Sequence, residues 1–279
     1  MKWIMAAVSI GLTVLSLAAP ARGAEATFAR DLAVNGRVQL IVANGSGTIH
    51  LIPSAEGHIS IHARVRSNWG GSDADVNEIT AHPPIQQTGN IVRIGERHEH
   101  RRNISIDYEI EAPADSYLDV ATGSGSIRDD GVGSGSRLNT GSGSIHATGL
   151  KDWYSVSTGS GSIYVEGSGN GDVTASTGSG TIELHGLHGA LRASTGSGSI
   201  KAEGVPQGPW HLDTGSGGVE LETGGAPFTL DASTGSGGIR CDREMTGQTN
   251  TGKHRLSGRI EGGGPLVRIK TGSGSIRID

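Results

Sequence analysis

The 279-residue chain carries 23 basic and 28 acidic side chains, a net charge of −5 with neutral histidines, and one cysteine, Cys241. A mildly acidic surface is repelled by nucleic acid and by anionic membranes, which makes both poor partners. A single cysteine excludes an intramolecular disulfide, so cohesion has to come from packing and backbone hydrogen bonds.

The first element is a leader. Lys2 provides a positive start, Ile4 to Ala19 form an apolar run too short to span a bilayer, and "APARGAEA" offers cleavage after Gly23 or Ala26. Residues 1–23 therefore read as a secretory signal peptide. No cysteine stands near the cleavage region to carry a lipid anchor, and no later stretch is apolar enough to cross a membrane. Cleavage after Gly23 leaves 21 basic against 28 acidic side chains, a net charge of −7. The expected location is periplasmic, cell-surface or extracellular.

Residues 24–279 read as one β-solenoid domain. Val38, Leu40 and Val42 lead into "NGSGTI" (Asn44 to Ile49) and Leu51, and Ile59, Ile61, Ala63 and Val65 form a second alternating run. Residues 67–103 break the pattern as an irregular insertion. Within it "NWGGSDADVNE" reads as a loop with a helical turn and "NIVRI" (Asn90 to Ile94) as a strand; "ISIDYEIEAP" (Ile104 to Pro113) reads as the next strand.

From residue 114 the chain becomes regular. "TGSGSI" or a close variant opens at Thr122, Thr140, Thr158, Thr177, Thr195, Thr214, Thr234 and Thr271, at successive gaps of 18, 18, 19, 18, 19, 20 and 37 residues. The long gap has room for one degenerate coil around "TGKHRLSGRI" (Thr251 to Ile260). A period near 20 is the signature of a solenoid. Apolar residues stand two and four places before most of these threonines, as Tyr154 and Val156 do, and five and seven places after most of them, as Ile163 and Val165 do. The two sets have opposite parity, which one straight strand cannot produce because alternate side chains leave by opposite faces. The chain must therefore bend inside TGSG. Glycine accounts for 47 residues, against a usual share of about 7%, and two of them recur at each bend, where a missing Cβ permits positive φ or close backbone approach. Eight or nine coils at roughly 4.8 Å would make a rod on the order of 40 Å long.

The opening "V.L.V.NGSGTI.L", the middle "ISIDYEIEAPADSYLDVATGSGSI" and the "SGSI" coils that follow resemble the bacterial putative adhesin family, domain of unknown function 4097, over about residues 27–279. The resemblance implies an all-β, single-stranded, right-handed parallel β-helix at the cell envelope or surface. It brings no catalytic residues.

The most regular polar feature is a column of hydroxyls at Ser124, Ser142, Ser160, Ser179, Ser197, Ser216, Ser236 and Ser273, beside the Thr column. It could face a ligand such as a glycan, or it could satisfy backbone groups at the corner. Eight residues after each Thr stand Asp130, Thr148, Glu166, His185, Glu203, Glu222, Asp242 and Asp279, an acidic stripe expected to be solvated or bridged by a cation. "LDTGSGG" carries the triplet of aspartic proteases at Asp213, but those enzymes need two such carboxylates and no second triplet exists. Asp129 and Asp130 are the adjacent acid pair that a polysaccharide-cleaving β-helix could use. His98 and His100 in "ERHEHRR" could chelate a metal from one strand face, and His185 and His188 form a second histidine pair, but no cysteine or spaced partner completes a site.

The reading is a non-enzymatic exported module with no catalytic, cofactor or metal site. Its expected partner is a glycan or a protein at the cell surface, with no nucleic acid and no membrane span; the alternative is a carbohydrate-active β-helix. Because the sequence ends on "SIRID" inside a strand, the C-terminal coil is expected to be uncovered and to self-associate end to end.

Overall fold

Apolar residues that change sides across each glycine pair wind this chain into stacked rungs. The computed structural model describes residues 24–279, apart from 56, 69, 96–102, 251 and 252. The leader and the "ERHEHRR" histidines lie outside the described residues.

The N-terminal part comprises β1 (Glu25–Ala33), β2 (Gln39–Ser46), β3 (Ile49–Ser54), β4 (His58–Ser67), α1 (Asp73–Ala81), β5 (Ile85–Thr88), β6 (Ile91–Ile94) and β7 (Ile104–Pro113). The expected helical turn is a nine-residue helix. Ser72 caps it by accepting the Asp75 N–H, two aspartates sit in its first turn, and Val76 and Ile79 bury its inner face.

The regular coils follow as β8 (Tyr117–Ser124), β9 (Ile127–Asp130), β10 (Ser134–Ser142), β11 (Ile145–Ser160), β12 (Ile163–Gly167), β13 (Val173–Ser179), β14 (Ile182–Leu187), β15 (Leu191–Ser197), β16 (Ile200–Gly204), β17 (Trp210–Ser216) and β18 (Val219–Glu222). Strands before each corner pair in parallel to form one sheet, with Thr122, Thr140, Thr158, Thr177, Thr195 and Thr214 in register. Strands after each corner form a second sheet in which Ile145, Ile163, Ile182, Ile200 and Val219 are stacked. The inner residues of both sheets join one apolar cluster running from Phe28 to Ile278. Each fully buried Ile or Leu contributes about 1.5–3 kcal/mol.

The C-terminal part departs from sequence order. It comprises β19 (Phe228–Ser236), β20 (Ile239–Cys241), β21 (Met245–Asn250), β22 (Arg255–Ile260), β23 (Leu266–Ser273) and β24 (Ile276–Ile278). The chain leaves β18, passes over one empty level to lay down β19 and β20, and then returns. β23 fills the gap between β17 and β19, and β24 fills the gap between β18 and β20. The expected uncovered C-terminal coil is thus corrected: both of its strands are paired on both edges, which removes the basis for end-to-end association through it. The expected degenerate coil around Thr251–Ile260 is also corrected. β22 runs antiparallel to β19 and to β21, so the segment is a hairpin closing the end of the first sheet.

The other end repeats the device. β2 lies between β6 and β8, and β3 lies between β7 and β9. Beyond them, β4 is antiparallel to both β7 and β1, and β5 is antiparallel to β6. Antiparallel strands thus finish both sheets at the N-terminal end and the first sheet at the C-terminal end, where parallel edges would otherwise remain open to other chains, while the second sheet ends on β20, paired in parallel with β24.

Candidate functional site

At each corner one backbone carbonyl does two jobs. Gly143 O accepts a hydrogen bond from Thr158 Oγ1 at 2.8 Å, and it lies 2.2 Å from where a Cβ on Gly161 would stand. Gly161 also holds φ of +147°, so this position takes only glycine without strain. The same Thr-to-glycine bond recurs at 2.8 to 3.1 Å from Thr140, Thr177, Thr195, Thr214, Thr234 and Thr271. The threonines are buried.

The serines are divided from the threonines by function. Ser124, Ser142, Ser160, Ser179, Ser197 and Ser216 are exposed and in register, followed in space by Ser273 and then Ser236. Within this column Ser236 bonds to Ser273 at 3.4 Å. Corner satisfaction therefore belongs to the threonines, and the serine column is a solvent-facing ridge that β2 extends by one rung through Ser46.

The acidic stripe is paired with basic and histidine side chains on the outer face of the second sheet. Asp130 accepts from Arg128 Nε at 2.9 Å and bonds to His50 Nε2 at 2.8 Å. Burial raises its pKa, but the bonds and charges of Arg128 and His50 together outweigh it and hold the carboxyl below the usual range. His185 sits between Glu203 at 2.7 Å and Glu183 at 2.9 Å. Burial opposes its charged form, and the two carboxylates outweigh that, so its pKa is raised. Lys201 pairs with Glu222 at 2.9 Å and Arg240 with Asp242 at 2.8 Å. Among the described residues no group of three or more His, Cys, Asp or Glu is placed to hold a metal ion. The Tyr164 ring stacks on His146 at 4.6 Å and leans on His185 at 5.4 Å, an aromatic ladder along the same face. His188 does not join His185 in a site, since its Nδ1 bonds to Gly186 O at 3.1 Å.

Asp129 and Asp130 face opposite ways. Asp129 is fully buried, with Oδ1 accepting the Val132 N–H at 2.8 Å and the Gly131 N–H at 3.3 Å, while Oδ2 has no partner. Burial pushes its pKa up to about 8. A substrate on the surface could reach Asp130 but not Asp129. Asp213 lies exposed in an ordinary outward slot.

Sequence reasoning missed a cleft on the outer face of the first sheet. Arg37, Val38, Gln39, Tyr117, Ser134 and Trp153 line a space of about 480 Å³. Tyr117 and Trp153 lie 5.9 Å apart, with their planes at 55°. The available signal was positional: five residues before the corner, three successive coils carry Tyr117, Gly135 and Trp153. The indole occupies the space above Gly135, where an added Cβ would lie 3.1 Å from Trp153 Nε1.

The model of the Toastrack DUF4097 family matches residues 101–279. No curated protein matches the chain. Among solved structures, a putative cell adhesion protein from Clostridium sporogenes ATCC 15579 is 12% identical, with 91% of this chain and 99% of that one covered at a TM-score of 0.27. A putative adhesin from Bacteroides fragilis NCTC 9343 is also 12% identical, with coverage of 91% and 97% and a TM-score of 0.29. Because the family's pattern of cornered coils covers well over half of the sequence, the chain belongs to the Toastrack DUF4097 family.

Proposed function

We propose that the chain is an exported, non-enzymatic interaction module of the bacterial cell envelope, a rigid rod that binds a glycan or a protein through its repetitive polar face. The observation that carries this reading is the serine ridge, a straight row of exposed hydroxyls at one rung spacing, about 4.8 Å. The threonines beside it take over the backbone hydrogen bonds, leaving the serines available to a partner. Its coils wind in the right-handed sense, the usual sense of parallel strand crossovers. Residues 1–23 direct export and are removed. The burial of Asp129 weighs against the carbohydrate-cleaving alternative, because glycosidases need two carboxyls beside the scissile bond.

The test displays the mature protein, beginning at Ala24, on a glycan array and against isolated envelope fractions. In a Trp153→Ala background, which removes the contribution of the aromatic cleft, the expected result is binding that is lost on adding Ser160→Arg and Ser179→Arg, whose bulky side chains interrupt the ridge at exposed positions without entering the core. Binding unaffected by that change, or release of new reducing ends from a polysaccharide, would overturn the reading.

A further inference from the structure

We infer that the cleft between Tyr117 and Trp153 is a binding site for a neutral pyranose. This goes beyond the role of the serine ridge and stands on different residues.

The site is built by local departures from the repeat. β10 has a register shift between Ser134 and Ser136, and Asp152 takes φ of +54°, a conformation that side-chain-bearing residues adopt only at a cost. Beside these irregularities Trp153 stands in the outward column it shares with Tyr117 and Gly135, and its indole lies across Gly135 toward Tyr117. Trp153 is 40% exposed, and Val205 is the only other large hydrophobic residue so exposed among those described. The half-exposed indole beside a second aromatic ring presents an apolar surface with a polar tip. At about 480 Å³ the cleft falls within the range of small-molecule sites, about 300–1,000 Å³.

Its polar groups narrow the occupant. Arg37 is fixed by Nε donating to Asp115 O at 3.1 Å and by Nη2 donating to Ser134 Oγ at 2.9 Å and to Ser134 O. Ser134 Oγ in turn donates to the Asp152 carboxylate. Guanidinium and carboxylate are thus joined through one hydroxyl, and the local charge sums to zero. A quaternary ammonium would suit two aromatic rings, but Arg37 opposes it. A carboxylated sugar would suit Arg37, but Asp152 opposes it. A neutral pyranose satisfies both requirements, with the C–H face of its ring against the indole and its hydroxyls toward Arg37, Gln39 and Ser134.

The experiment is saturation-transfer NMR on the mature protein with the methyl pyranosides of glucose, galactose, mannose and N-acetylglucosamine, and with choline and glucuronate as rivals. At least one neutral glycoside should show transfer concentrated on its ring protons. Trp153→Ala should weaken that binding about tenfold, the loss of one aromatic contact, while its circular dichroism and melting temperature stay unchanged. The Ser160→Arg, Ser179→Arg protein should retain it, which separates this site from the ridge. The proposal is overturned if no neutral glycoside binds, if only choline or glucuronate does, if Trp153→Ala binds normally, or if the ridge variant alone abolishes binding.

Discussion

Asp129 shows how far a single residue's role follows from its parity. Its place on the inner side of β9 is readable from the spacing of Ile127, but the consequence depends on packing: a carboxyl held by two N–H groups on one oxygen and by nothing on the other. Its pKa is near 3.8 when solvated and about 8 when folded. A raised folded pKa means that its contribution to stability is fully present below about pH 4 and is lost as pH rises through about 8. Asp129→Asn keeps the Oδ1 acceptor and removes the proton. The two proteins should therefore melt alike at pH 4, and at pH 8 the variant should be the more stable by several kcal/mol, at about 1.4 kcal/mol for each unit by which the folded pKa is raised. Other titrating groups are common to both proteins, so the difference curve isolates this carboxyl; parallel curves from pH 4 to 8 would refute the assignment.

The corner is the element on which the rod depends, and it was the most legible part of the sequence. The parity change around TGSG predicts a bend, and Ile163, Ile182 and Ile200 stack as that bend requires. The division of labour between threonine and serine was not legible, because both carry a hydroxyl and only the corner geometry decides which one points inward. The aromatic cleft was hidden for a related reason: Tyr117 and Trp153 are 36 residues apart in sequence and meet only because Gly135, in the coil between them, has no side chain. Corner glycines should differ sharply from exposed ones when replaced. At Gly161 a methyl group would meet a backbone oxygen at 2.2 Å, whereas at Gly224 nothing lies within 4 Å and only a φ of +57° resists. Chemical denaturation should show Gly224→Ala costing about 1–2 kcal/mol and Gly161→Ala costing more than about 3 kcal/mol, the range of severe core defects. Equal losses would mean that the corners tolerate a spread the geometry denies.

At the scale of the whole molecule, sequence spacing misleads. A gap of 37 residues between Thr234 and Thr271 reads as two coils in succession, yet Thr271 lies between Thr214 and Thr234. Nothing in the spacing distinguishes the two, since the apolar pattern of β23 fits either level; the choice is settled by which edge remains open when β23 forms. Trimming an ordinary solenoid from one end removes about one rung of stability at a time. Deleting residues 266–279 should instead detach everything from β19 to β22, because β17 and β18 lose their only neighbours on that side. Hydrogen exchange should show residues 223–260 losing protection as a block while residues 117–200 retain theirs. Loss of protection at the truncated tip alone would contradict this. A chain made or exported from its N-terminus carries two raw strand edges until residues 266–279 arrive, and that segment then slides in like a keystone, locking the hairpin cap and the body together. Until that moment β17 and β18 are open to capture by other strands; afterwards both of those edges are covered.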